Sequence, residues 1–261
     1  MSKSKETEIR VKTKQIYIAS CSFGKDSIAT ILLAMIHNEP LDKIVTSEVM
    51  FDNSRGISGE LPEHIEWMKQ IAIPKLKELT GIEVDIVRNE KDDYLTEFFK
   101  KRGIKTRHPE RIGKYQGFLF GGFCRMNSVG KMTPIRKYLR QFESYISYVG
   151  IAADESKRLA RLNKKSISLL AKYGYTEKMA FELCKQYDLL SPIYKTGSRG
   201  GCWFCPNQKA KGFCVLRRQH PELWEELREL SKSGNLITDK FIYDYTFDQM
   251  EKKMNLLDKN L

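Results

Sequence analysis

No apolar run in this 261-residue chain approaches the length needed to span a bilayer, which removes a helical membrane protein from the reading. The opening stretch, MSKSKETEIRVKTKQ, also lacks the apolar core of a secretory signal, so a cytoplasmic protein without membrane partners is expected. In that compartment the six cysteines point to metal ligands, catalytic thiols or buried apolar residues rather than disulfides. Neither a Walker A sequence nor G-x-G-x-x-G occurs, so the two commonest phosphate loops are absent. Internal repeats and long low-complexity linkers are missing too. Acidic residues almost vanish between Lys100 and Arg140: Glu110 stands alone against twelve Lys and Arg, and the segment carries +11 in a chain whose net charge is +12.

That basic segment also holds Tyr115, Phe118, Phe120, Phe123 and Tyr138, with Gly113, Gly117, Gly121 and Gly122 among them. Charge, aromatic rings and glycine together suit a polyanion with flat bases, meaning a nucleic acid or a polyphosphorylated nucleotide. A solvated face over core aromatics is the other reading. The length suits one large domain with a smaller appendage.

Strand and helix patterns alternate along the first half. QIYIASC reads as a buried strand and Ser27 to His37 as a helix; DKIVTSEVMFDN is a second strand. Glu60 to Thr80 is a long amphipathic helix closed by Gly81, and IEVDIVRN a third strand. Asp92 to Arg102 and Thr133 to Phe142 read as helices, YISYVGIAA as a fourth strand, and DESKRLARL as the start of another helix. This order predicts an α/β fold with a doubly wound, mostly parallel sheet over 15–163. It would follow a flexible N-terminus at 1–14 and precede a helical, cysteine-bearing region at 164–261. Ligands of such sheets bind at the carboxyl ends of the strands, where Ser22 to Ser27, Asp52 and Gly150 to Glu155 converge.

Between the first strand and its helix stands SFGKDS, Ser22 to Ser27. Gly24 lets the backbone come close to a phosphate, and the N–H groups opening the helix point the same way. Lys25 adds a positive charge, the Ser22 and Ser27 hydroxyls can donate to phosphate oxygens, and Asp26 can cap the helix or help hold a Mg²⁺. A plain capped turn is the alternative. Further along, Cys202 and Cys205 form C-x-x-C on a Gly-Gly turn, a spacing that lets two thiolates reach one metal. No histidine lies in that turn, so an all-sulfur ligand set is expected. A redox-active dithiol or buried thiols are the other possibilities.

SFGKDS resembles the pyrophosphate loop of the adenine-nucleotide alpha-hydrolase-like superfamily, and the chain resembles its phosphoadenosine phosphosulfate (PAPS) reductase family over about residues 15 to 230. Four further segments carry the likeness in the family's order: MFDNSRGISGELPEHIEW, CRMNSVGKMTPIRKYL, YVGIAADESKRLARL and SPIYKTGSRGGCWFCPNQ. The resemblance implies that Ser22, Phe23, Gly24, Lys25, Asp26, Ser27 and Gly150 bind an adenine nucleotide, that Asp52 lies near the adenosine, and that Lys131, Arg136 and Arg158 face an anionic substrate. It also implies that Cys124 joins Cys202, Cys205 and Cys214 around a [4Fe-4S] cluster, with Zn²⁺ as the alternative. Cys21 and Cys184 read as core residues.

The chain departs from assimilatory sulfonucleotide reductases in one respect: no cysteine follows Cys214, so the C-terminal nucleophile of those enzymes is absent. Lys25 and Asp26 are both kept, as in relatives that cleave ATP between the α and β phosphates. The resemblance therefore favours ATP-dependent adenylation and sulfur transfer on a nucleic acid or other anionic substrate. Lys25 and Asp26 would be catalytic, Mg²⁺ would assist the leaving group, and a sulfur-donor or reductant protein would be a partner. Reduction of PAPS or adenosine phosphosulfate (APS) is the second reading. A non-catalytic nucleotide-sensing or nucleic-acid-binding component is the third.

Overall fold

The computed structural model describes residues 14–105, 107–118, 124–195 and 200–259. Phe120, Gly121, Gly122 and Phe123 of the basic segment, and residues 196–199 ahead of the cysteine pair, lie outside them. Among the described residues no helix is long and apolar enough to cross a membrane.

The fold is α/β, around a five-stranded sheet in which every pair of neighbours is parallel. Strand β1 (Ile16–Ser20) runs through the middle and turns directly into α1 (Lys25–Ile36). It is followed by β2 (Lys43–Glu48), then by a small antiparallel pair, β3 (Met50–Asp52) with β4 (Ile57–Ser58). The expected second strand is thus two: β2 stays in the sheet and β3 leaves it. At the far end of β3 the Asp52 carboxylate accepts the Ser54 and Arg55 N–H groups and closes a tight turn back to β4.

Helices α2 (Pro62–Trp67) and α3 (Ile73–Thr80) form one rod, joined by a π-helical turn over Met68–Ala72 and ended by Gly81 in the left-handed conformation. Then come β5 (Val84–Arg88) and a short α4 (Tyr94–Phe98), started by the Asp93 carboxylate on the Thr96 N–H. A second π-helical turn, Asn127–Met132, leads into α5 (Thr133–Leu139) and β6 (Tyr145–Tyr148). The helix expected after Asp154 is only one turn, α6 (Ser156–Leu159).

Strand β7 (Ser166–Ile167) adds a fifth member beyond the four anticipated, and the sheet order is β5-β2-β1-β6-β7. Helices α7 (Leu169–Lys172) and α8 (Glu177–Gln186) pack back on α1. Leu169, Leu170, Ala180, Leu183 and Cys184 thereby share one buried core with Ile28, Ile31 and Leu32. On the opposite face α5 covers β2 and β5, with Tyr138 against Ile18 and Val45. Helices on both faces explain why the central strands are apolar on both sides.

A second core joins β3 and α4 to the C-terminal part, made of α9 (Ala210–Gln219), α10 (Pro221–Ser231), the hairpin β8 (Lys240–Ile242) with β9 (Tyr245–Thr246), and α11 (Phe247–Asp258). Phe51, Tyr94, Trp203, Phe204, Phe213, Trp224, Phe241 and Phe247 form its aromatic centre.

Candidate functional site

The strand order reverses between β1 and β6, and the crevice outside the carboxyl ends of these two strands is where such sheets bind ligands. The loop after β1 fills one side of it. Ser27 Oγ donates to the Gly24 carbonyl at 2.9 Å and accepts the Ser22 N–H at 3.1 Å, which draws the loop into a ring around the helix start. Phe23 is buried with φ at 55°, a left-handed conformation rare for a bulky residue, and its ring packs edge-on to Trp67. Burial of that ring holds a strained backbone directly before Gly24.

Gly24 itself sits in ordinary extended backbone as the N-cap of α1, and a Cβ there would stand 3.6 Å from Ser22 Oγ and Tyr194 OH. The close approach occurs at Gly150 instead. A Cβ on Gly150 would come within 2.7 Å of Ser27 N and 2.8 Å of the Asp26 carbonyl carbon, so only glycine lets the chain after β6 lie against this loop.

Lys25 donates its backbone N–H to Tyr194 OH at 3.0 Å, while its ammonium is held by Asp26 at 2.8 Å and Glu177 at 3.1 Å. Burial opposes the Lys25 charge, but Asp26 and Glu177 outweigh it and raise its pKa. Burial also raises the Asp26 pKa; Lys25 opposes that, and Glu177 and Glu155 add repulsion. Asp26 caps nothing: its carboxylate faces Lys25. Cys184 donates its thiol to the Lys25 carbonyl at 3.1 Å, and Cys21 lies beside Ser27 Oγ. Burial pushes these thiols up to about 12 and about 11, as fits core residues.

From Ser22 a cavity of about 210 Å³ runs along the ends of β1 and β2. Val45, Ile65, Ile73 and Ile135 give it apolar walls, and Glu48, Glu60, Lys69 and Lys131 are its charged groups. Burial opposes the charge of Lys131, and its neighbours Cys202, Glu60, Cys205 and Cys124 overcome that and raise its pKa.

Three of the four anticipated cysteines therefore share the neighbourhood of Lys131. The turn that carries two of them is docked on β4: the Trp203 N–H donates to the Gly59 carbonyl at 2.8 Å, and its indole N–H to the Ser58 carbonyl at 2.9 Å. Gly59 is needed there, because a Cβ would meet the Phe204 ring at 3.1 Å and the Val49 carbonyl at 2.9 Å. Burial, helped by Glu60 and opposed by Lys131, pushes the Cys202 thiol well above its usual range.

Cys214 is not brought to the other three. It is buried between α9 and α11, its sulfur 3.8 Å from the Met254 carbonyl and its charged neighbours Asp258, Arg217 and Arg218. Among the described residues no group of three or more Cys, His, Asp or Glu is placed to hold a metal ion. Cys214 is thus not grouped with the other three thiols that were expected to share a metal with it.

Three other anticipated residues also stand apart. The Asp52 carboxylate accepts Ser54 Oγ at 2.6 Å and Arg55 Nε at 2.5 Å, and it does not line the cavity. Arg136 is exposed and outside the cavity, and Arg158 is exposed and paired with Glu155 at 2.6 Å. Conversely, Tyr194, Glu177, Glu48 and Glu60 join the site without having been singled out. Tyr194 lies within the SPIYK stretch of the family-like motif, so position alone could have flagged it. Glu177 opens a helix far along the chain, and no local signal links it to Lys25.

No protein-family profile matches the chain. It is similar to an uncharacterized protein of Methanocaldococcus jannaschii, with 26% identity over 241 residues that cover 86% of this chain. The chain spans 44% of the length of that curated relative.

Proposed function

We propose that the chain is an adenine-nucleotide enzyme of the PAPS reductase family that uses ATP to activate a nucleic acid or another anionic substrate for sulfur transfer. The observation that carries this reading is the fit of Gly150 against Asp26 and Ser27, which shapes a helix-opening loop at the strand-order reversal and leads into the cavity ending at Lys131.

Phosphates lie over the start of α1, where the N–H groups and the positive end of a twelve-residue helix favour anions. The adenine ring occupies the apolar cavity. A substrate oxygen attacks the α phosphate, its bond to phosphorus forms as the α–β bridge breaks, and pyrophosphate leaves. A sulfur nucleophile from a donor or reductant protein then displaces AMP. Lys25 is freed from Glu177 by the incoming phosphates and neutralises the leaving group. Asp26, which now holds the Lys25 ammonium, would be the carboxylate to help hold Mg²⁺, and that ion would supply charge stabilisation to the leaving pyrophosphate. Cys124, Cys202 and Cys205 are the thiols that would contribute to an iron-sulfur cluster or Zn²⁺ in this proposal, and no step is routed through it.

Reduction of PAPS or APS ranks second, because Cys21 and Cys184, the thiols it would recruit near the loop, are kept protonated by burial. The test is pyrophosphate release from ATP and Mg²⁺ with bulk tRNA or DNA, on anaerobically purified protein assayed for iron, sulfide and zinc. Pyrophosphate release that Lys25→Ala abolishes, with metal content unchanged, is the expected result. Sulfite release from PAPS or APS without pyrophosphate selects reduction, and nucleotide binding with no turnover selects a sensing component. Turnover untouched by Lys25→Ala overturns the loop assignment.

A further inference from the structure

After α4 the chain leaves the body of the protein and returns at Phe118. Its two limbs are zipped at the base: the Gln116 N–H donates to the Lys100 carbonyl at 3.0 Å, the Arg102 N–H to the Lys114 carbonyl at 2.9 Å, and Lys101 bridges Tyr115 antiparallel. The base is also fixed from below. The Tyr115 N–H donates to the Asn235 carbonyl and the Ile237 N–H to the Tyr115 carbonyl, both at 2.9 Å, and Phe118 packs edge-on to Phe98 and Phe241. Beyond this anchored base, every described residue from Phe99 to Glu110 is exposed.

The exposed limb carries Lys100, Lys101, Arg102, Lys105 and Arg107, with Glu110 the only acid before Phe118. Some of these charges are held locally: Lys100 by Glu97 at 2.9 Å, Lys101 over the Tyr115 ring, and Arg102 by the neutral Gln116. Lys105 and Arg107 are exposed. Between Arg102 and Lys105 the apolar Ile104 is 81% exposed, which no need of the fold explains.

We infer that this basic arm is a nucleic-acid docking element, engaging the phosphate backbone through Lys100, Lys101, Arg102, Lys105 and Arg107 while Ile104 contacts sugars or an unstacked base. A cationic limb with one acid suits a regularly spaced polyanion, and an apolar residue framed by cations is how backbone-binding proteins place a wedge against bases. The arm deepens the proposed function by giving its polyanionic substrate a place, yet it uses none of the loop or cavity residues, so the two are separable by experiment.

The test measures binding of fluorescent duplex DNA, single-stranded DNA and tRNA to the full chain across a series of salt concentrations, beside ATP binding without nucleic acid. The double substitution K105E/R107E is expected to weaken nucleic-acid binding by on the order of tenfold or more and to lower the slope of log affinity against log salt by about 2, with ATP binding unchanged. The probe with the larger loss identifies the source of the phosphates. Ile104→Ser is expected to weaken binding while leaving the salt slope alone. Unchanged affinity and slope in K105E/R107E overturn the inference, as does equal arm-dependent binding of polyglutamate. Arm-dependent nucleic-acid binding in a protein that does not bind ATP upholds the arm and removes the proposed function instead.

Discussion

Gly150 and Asp52 show how differently two residues at strand ends are used. Gly150 has no room for a side chain against the Asp26–Ser27 backbone. Gly150→Ala should displace the loop, destabilise the fold by about 1–3 kcal/mol and weaken ATP binding, as overpacking in a tight contact does. Thermal denaturation with nucleotide titration checks this, and wild-type affinity would mean the loop does not depend on the contact. Asp52 instead closes a turn. Burial works against its charge, yet hydrogen bonds from Ser54 and Arg55 outweigh that and hold its carboxyl down at about 2. A carboxyl held below its unfolded value of about 3.9 stabilises the fold above that pH and loses the contribution as pH falls toward 2. Asp52→Asn should therefore lower Tm at pH 7, with the gap to wild type closing between about pH 4 and 2. A gap constant with pH would show that the charge is not what matters.

At the scale of elements, the two π-helical turns share a cause. Each stands just ahead of a proline, Pro74 or Pro134, which offers no N–H to the carbonyl four residues earlier. For Pro134 that carbonyl belongs to Gly130, and it accepts Ser47 Oγ from β2 at 2.8 Å. Both turns face the cavity, one with Met68 and Lys69, the other with Lys131 and Met132. Ser47→Ala should cost about 1 kcal/mol, the usual worth of one hydrogen bond, and loosen Lys131. Weaker binding of the anionic substrate, with ATP binding retained at the loop, is the outcome that places Lys131 against that substrate. The apolar periodicity of 60–80 announced a helix there, but a widened turn leaves that periodicity almost intact and so was not legible.

Across the whole molecule, the aromatic core joins regions far apart in sequence. Phe51 lies 4.5 Å from the Trp203 ring and Tyr94 4.2 Å from that of Phe204, ring centre to ring centre. Arg55 spans the same junction, holding Asp52 on one side and Glu226 on the other at 2.6 and 2.8 Å. A chain ended at residue 195 would strip Phe51 and Tyr94 of Trp203 and Phe204 and expose that side of the aromatic core. It should aggregate or bind hydrophobic dyes instead of folding as a free α/β unit. A soluble, cooperatively melting fragment would show that the sheet half folds alone.

The sequence by itself determined the alternation of strands and helices, the parallel sheet that follows from it, and the loop Ser22 to Ser27 at a strand end, because apolar period and turn chemistry are local properties. It also marked Cys202 and Cys205 as one turn. Only the tertiary structure decided that β3 leaves the sheet, that β7 and α8 return to it, and that Glu177 and Tyr194 reach Lys25 from more than 150 residues away. It likewise brought Cys124, Cys202 and Cys205 near enough to Lys131 to act on its charge while turning Cys214 toward Met254. Those outcomes depend on how whole faces pack, and spacing along a chain carries no record of which faces meet.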